Sequence, residues 1–333
     1  MFGFSLRTGA VLACAGLTTL AAPAGAATPE ACDRHCLVAM VDQYLQAVVA
    51  HDARRLPLAR NARYTEDGQE LDLNDGFWRT ASSVGTYKNY FVDPQTSNAG
   101  FFGTMRENGN AVILVARLAV VKDRVTEIET LIARPGGTGP MSEGPQLLET
   151  LGKPNSLWTQ PIPESQRMSR EDLIKTADMY FTGLQKNDGK GKYPFTADCN
   201  RLENGLQTTN NKTLRFGEGT GGGPGDEFLA SFAAMGCKEQ FETGYYRFVD
   251  RIRDRRFPVV DVERGVVFSL AFFDHSGTVH KIPLTNGKTI EGRVKEPFTW
   301  ELGEAFKIEK GQIRYVEAVM KRAPYGMKPN WPQ

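Results

Sequence analysis

Five side chains in the second half of the chain are of the types that proton-transfer chemistry needs: Arg201, Glu203, Asn204, His275 and Glu317. In Arg201-Leu-Glu-Asn-Gly205 a guanidinium beside a carboxylate can bind and polarise a substrate carbonyl or carboxylate while Glu203 takes a proton, with Arg201 and Asn204 holding the developing oxyanion. The same residues also read as a turn, with Gly205 supplying a positive φ and Glu203 paired to Arg201. His275 ends a run in which Val267, Ser269, Ala271 and Phe273 alternate with Val266, Phe268, Leu270 and Phe272, and the face with Ser269 and Ala271 has room for a ligand. Imidazole is the group best suited to proton transfer near neutral pH, while Asp274-His-Ser-Gly277 equally has the composition of a hairpin turn. Glu317 adds a carboxylate on the last strand, which is mixed on both faces, so alternation does not choose between cavity and solvent.

Two other patterns are weaker. Arg247, Arg251, Arg253 and Arg255 fall at even spacing and would stack along one face of a strand, more often paired with acids such as Asp250, Asp254 and Asp261 than forming an anion-binding wall. Gly217-x-Gly219-x-x-Gly222 matches a dinucleotide fingerprint by letter alone, since Pro224 follows and no parallel strand precedes it. It reads as a loop over the mouth of a pocket, leading into a helix from Glu227 to Met235. No nucleophile elbow is present, and neither a cofactor nor a metal is expected.

The elements that must position these residues come as helix then strands, twice. Leu37, Val41, Tyr44, Leu45 and Val48 recur at helical spacing, as do Leu173, Ile174, Ala177, Phe181 and Leu184, the latter behind Ser169 as N-cap. Apolar runs at 111–121 and 125–132, and again at 266–273, 305–308 and 313–320, predict strands. Between the halves, Pro135-Gly-Gly-Thr-Gly-Pro140 opens a Pro-bearing linker with one short helix at 145–151.

The halves also match each other. Val125-Thr-Glu-Ile-Glu-Thr-Leu-Ile-Ala-Arg134 returns as Ile313-Arg-Tyr-Val-Glu-Ala-Val-Met-Lys-Arg322, and Tyr64-Thr-Glu-Asp-Gly68 aligns with Arg201-Leu-Glu-Asn-Gly205. A domain copied in tandem can keep a pocket in one copy and lose it in the other, so function is to be sought where the copies differ. The first keeps Glu66 but has Tyr64 for Arg201 and Asp67 for Asn204, and offers nothing for His275 or His280. The pocket is therefore expected in the second repeat, with the glycine-rich segment or the aromatic tail 325–331 closing over a ligand.

Charge is balanced, 40 basic against 39 acidic residues, which argues against nucleic acid or an anionic membrane as partner. Residues 8–20 are apolar and small behind Arg7, and Ala24-Gly-Ala-Ala27 supplies a cleavage site, so 1–27 read as a signal peptide of a periplasmic or secreted protein. Processing at Cys14 as a lipoprotein would leave too short an apolar segment. The four remaining cysteines read as local disulfides, Cys32 with Cys36 and Cys199 with Cys237; zinc through His35 and Cys36 lacks further ligands.

A long helix, short helices and a bent antiparallel sheet, all repeated, resemble two tandem cone-shaped domains of the nuclear-transport-factor-2-like (SnoaL-like) superfamily, an α+β fold. Asp198-Cys-Asn-Arg-Leu-Glu-Asn-Gly-Leu-Gln-Thr-Thr209 and the stretch from Arg251 to Val267 resemble an uncharacterised group of exported bacterial and fungal proteins of that superfamily. The resemblance implies domains at 28–134 and 169–333 about a linker at 135–168, each a helix wrapped by its sheet around a pocket. It does not imply a reaction. The expected function is cofactor-independent acid/base chemistry of the lyase, dehydratase or isomerase kind on a small molecule. The alternative is a non-catalytic ligand-binding or assembly protein, with homo-oligomers forming through sheet faces.

Overall fold

Asp33 and Ser169 start the two long helices: Asp33 Oδ1 accepts from the Cys36 amide at 2.8 Å and Ser169 Oγ from the Asp172 amide at 3.1 Å, each satisfying a donor that a first turn leaves open. The computed structural model describes residues 1–3, 5, 32–136, 140–214 and 226–332, so nearly all of the signal segment, Cys14 and the glycine-rich stretch lie outside the described residues. Helix α1 (Arg34–Val49) leads to β1 (Leu58–Glu66), β2 (Gln69–Glu70), the single turn α2 (Phe77–Thr80), then β3 (Ala81–Asp93), β4 (Asn98–Glu107), β5 (Asn110–Val121) and β6 (Arg124–Ala133). After α3 (Gly144–Leu151) the pattern repeats as α4 (Arg170–Leu184), β7 (Phe195–Glu203), β8 (Leu206–Gln207), α5 (Asp226–Phe232), α6 (Cys237–Glu242), β9 (Arg251–Asp261) and β10 (Val266–His275). A hairpin of β11 (Lys281–Pro283) and β12 (Thr289–Glu291) precedes β13 (Phe298–Glu309) and β14 (Gln312–Ala323).

The architecture is α+β with two six-stranded sheets, ordered β2-β1-β6-β5-β4-β3 and β8-β7-β14-β13-β10-β9. Setting aside the β11–β12 hairpin, each strand of the first sheet has a counterpart in the second. The sheets are mixed rather than wholly antiparallel, a correction to the sequence expectation. In each, the meander ends on a strand that runs parallel to the first one, β6 beside β1 and β14 beside β7. Register reproduces the internal sequence match: Tyr64 stands opposite Ile128 and Glu66 opposite Thr130, as Arg201 stands opposite Val316 and Glu203 opposite Ala318.

Alternation assigns the faces. Val267, Ala271 and Phe273 pack with Leu173, Ala177 and Phe181 of α4, while Val266, Phe268 and Leu270 pack with Phe91, Phe102 and Leu131 of the other sheet. Helix α1 covers the first sheet on the corresponding side. From Ala31 onward the chain is one compact unit in which the two sheets lie against each other. The sheet faces expected to join separate chains are thus buried within one. The segment between the repeats is no loose spacer either, since Leu148 and Trp158 are buried in the layer between the sheets.

Paired contacts across that layer obey a pseudo-two-fold relation. Arg34, first residue of α1, bonds Asp261, last of β9, at 2.6 Å; Arg170, first of α4, bonds Asp93, last of β3, at 2.5 Å. This reciprocity is the signature of an isologous interface. Both expected disulfides are present, with Cα separations of 5.3 Å for Cys32–Cys36 and 5.8 Å for Cys199–Cys237, so the sulfurs near His35 are bonded to each other. Of the four arginines expected to form a ladder, Arg251 and Arg253 pair with buried Asp274 and Arg255 with Asp178, while Arg247 lies before the strand in the turn at 245–248. Among the described residues no helix is long and apolar enough to cross a membrane.

Candidate active site

The second sheet and α4 enclose a cavity of about 290 Å³. Arg201 and Glu203 reach it because odd-numbered positions of β7 face α4, while Leu202 faces the other sheet. Tyr180 and Leu184 come from α4, Phe273 from β10, Trp300 and Glu304 from β13, and Leu229 and Phe232 from α5. The long insertion between β8 and β9 supplies half of the apolar lining residues, among them Tyr245, Tyr246 and Phe248.

Arg201 is 2% exposed and tightly held. One terminal nitrogen donates to the Tyr180 hydroxyl at 3.1 Å and lies 3.6 Å from Glu203; the other donates to Gln240 Oε1 and the Tyr246 hydroxyl. Gln240 is itself fixed, its amide nitrogen donating to the carbonyls of Thr208 at 2.7 Å and Phe232 at 2.8 Å. The Cys199–Cys237 bond clamps β7 to α6 just ahead of both residues.

Glu304 is the functional candidate that sequence reasoning missed. It is buried beside this group, and burial, then the nearby Glu203, push its carboxyl up to about 8 while a hydrogen bond from Tyr180 works the other way. The signal was present: Leu302 and Phe306 share its face and are core residues, so Glu304 is a charged break in an apolar alternation. Reading the strand only from residue 305 hid it.

The other expected residues lie elsewhere. Asn204, at φ 45°, accepts from the Met320 amide at 2.8 Å and donates to its carbonyl at 2.9 Å, a turn anchor that Asp67 provides in the first repeat at φ 52° by accepting from the Ile132 amide at 2.9 Å. His275 stacks on Phe298 at 4.4 Å, behind the cavity-lining Phe248 and Trp300, and burial pushes its imidazole down to about 4. Glu317 points into the layer between the sheets, where Tyr87 and Asn89 donate to it at 2.9 and 2.8 Å and burial raises its carboxyl to about 7. His280 is exposed. The aromatic tail does not cover this cavity: Trp331 docks on the first repeat, donating to Thr65 Oγ1 at 2.8 Å between the guanidiniums of Arg63 and Arg117.

In the first repeat the corresponding space is filled. Tyr44 and Tyr64 pack edge-on against fully buried Trp78, and Glu66 is tied down by the Tyr64 hydroxyl at 2.8 Å, the Phe77 amide at 2.6 Å and Arg134 at 3.3 Å. Ala116, paired with Phe101, occupies the place of Glu304, which is paired with Ser269.

Comparison with known proteins adds the following. A crystal structure of a "putative ketosteroid isomerase" from Kribbella flavida DSM 17836 is similar at 14% identity and a TM-score of 0.25, covering 31% of this chain and 82% of that one. A de novo designed protein with a curved β-sheet is similar at 15% identity and a TM-score of 0.22, covering 46% of this chain and 88% of its own. No curated protein matches the chain. Residues 30–132 and 166–320 match the family described as "Domain of unknown function (DUF8021)", and the chain belongs to that family.

Proposed function

We propose that the second repeat, residues 169–333, is a cone-shaped domain of the nuclear-transport-factor-2-like kind that catalyses cofactor-independent acid/base chemistry on a small molecule, of the lyase or isomerase type. The first, residues 28–134, acts as its structural partner. The chain is exported, in keeping with its two disulfides and the leader read at 1–27.

The observation that carries this reading is one cavity with two carboxyl groups in unlike surroundings: Glu203 is ion-paired to Arg201, and Glu304 is buried with its carboxyl pushed up to about 8. Such a pair divides base from acid at neutral pH. Glu203 removes a proton from a carbon next to the substrate's oxygen function. Glu304, protonated, donates to that oxygen as negative charge develops there, and Arg201 adds a fixed positive field. An isomerase returns the proton from Glu203 to another carbon, whereas a lyase expels a leaving group instead.

Deuterium incorporation from D₂O into a panel of ketones and hydroxy ketones, read by mass spectrometry with purified protein, tests it. Wild-type protein is expected to label at least one compound, and Glu203→Gln to slow labelling by about 10² to 10⁴, the usual worth of a positioned base. No labelling by wild type across the panel favours the binding-protein alternative.

A further inference from the structure

Three buried polar atoms of cavity-lining residues have no hydrogen-bond partner in the protein: Arg201 Nε, Glu304 Oε2 and Thr208 Oγ1. Buried polar atoms are almost always satisfied, so three orphans on residues that line one apolar cavity mark where a ligand's polar end belongs. Arg201 has one direction left to donate, because its terminal nitrogens are taken by Tyr180, Gln240, Tyr246 and Glu203. Its charge is likewise already answered by Glu203. A carboxylate entering here would add an uncompensated negative charge to a site that holds two carboxyl groups and a single buried guanidinium, and desolvating such a charge is costly. Arg293, at the rim, is engaged by partners of its own.

Resting on the acid/base reading of the same cavity, we infer that its ligand is an uncharged, hydrophobic molecule with a carbonyl or hydroxyl oxygen at one end, and that the matching carboxylate is excluded. The oxygen accepts from Arg201 Nε–H and lies against Glu304 and Thr208. The apolar body lies among Leu229, Phe232, Phe273 and Trp300.

Calorimetric titration at pH 7 of the whole protein with 2-acetylnaphthalene and with 2-naphthoate, which share one ring system, tests this. The ketone is expected to bind at least tenfold more tightly than the carboxylate, and Glu304→Leu to weaken the ketone about tenfold. Thr208→Val, a smaller change, is expected to weaken it severalfold and serves if the first variant does not fold. Equal or tighter binding of naphthoate, no binding of the ketone, or ketone affinity unchanged in both variants would overturn the inference. Because these titrations read binding alone, a protein that takes the ketone yet labels nothing in D₂O would lose the catalytic reading and keep this one.

Discussion

One strand path is built twice here, and the two copies treat the same acid in opposite ways. Glu66 and Glu203 hold equivalent places in register, opposite Thr130 and Ala318. In the first repeat a tyrosine hydroxyl, a backbone amide and an arginine close around the carboxylate, and Trp78 fills the space beside it. In the second, the tyrosine is replaced by Arg201, the alanine opposite by Glu304, and ten residues between strands, 71–80, by a far longer insertion, 208–250, that walls a cavity. Filling a site stabilises, and leaving polar atoms unpaired around a void does not. The second copy therefore keeps buried polar atoms that its own side chains do not satisfy.

The largest effect expected to separate the copies is on turnover. Glu203→Gln should lower any activity by about 10² to 10⁴, whereas Glu66→Gln should leave it unchanged and cost about 1 to 2 kcal/mol of stability through weakened hydrogen bonds. Activity assays alongside denaturant melts check both. Equal loss of activity in the two variants would erase the distinction between the repeats.

The disulfides differ in the same direction. Cys199–Cys237 spans a separation of 38 residues and Cys32–Cys36 one of 4. On the loop-entropy estimate, removing the first pair should cost about 4 kcal/mol and the second about 2. Urea unfolding of the two double alanine variants measures it. Since the longer link also sets Gln240 against Arg201, its loss should weaken ligand binding in the folded protein, which loss of the shorter one should not.

Much of this was legible beforehand. The two long helices, the Ser169 cap, the duplication and both disulfides follow from periodicity, a capping residue, cysteine spacing and internal alignment, signals that are local or self-repeating, whereas the face of β10 with Ser269 and Ala271, read as having room for a ligand, is packed core against α4. The failures were failures of orientation. Glu317 and Glu129 match in sequence, yet Glu129 meets Arg117 of its own sheet and Arg256 of the opposing one, while Glu317 meets Tyr87 and Asn89, both from the opposing sheet. His275 stood out as a rare residue type, but the aromatic rings that enclose it come from two distant segments, one of them the turn at 245–248. Arg201 and Glu203 stood out by their side-chain chemistry and by the match of their segment to Tyr64–Gly68, not by any strand read there, and Glu304 was lost because its strand begins seven residues earlier than the apolar run, at Phe298 rather than 305.

Glu304 sharpens the contrast through pH. Its carboxyl is raised to about 8 in the folded protein, against about 4.3 for a solvated glutamate. Between those values the unfolded chain has released the proton and the folded one has kept it, so wild-type stability falls as pH rises through the window. Glu304→Leu, which restores the apolar character of Ala116 at the matching place, should remove that fall and gain on wild type by about 3 to 4 kcal/mol between pH 5 and pH 8. Parallel melting curves from pH 5 to 8 would show the gap widening, and curves that keep a constant offset would mean that Glu304 is ionised throughout.

The smallest effect separates a turn anchor from an oxyanion holder. Asn204 and Asp67 both sit at positive φ and accept from an amide on the last strand of their own repeat, Met320 and Ile132, through the same Oδ1. Asn204→Asp keeps that bond but turns the donor facing the Met320 carbonyl into an acceptor, leaving that carbonyl unsatisfied at a cost of about 1 to 3 kcal/mol. Stability should fall by about that amount, and activity should hold. An oxyanion holder behaves otherwise, because exchanging its amide for a carboxylate sets negative charge against negative charge and would cost about 10² to 10³ in rate. Steady-state rates of Asn204→Asp beside its melting curve decide it: a large fall in rate with stability intact would return Asn204 to the catalytic group.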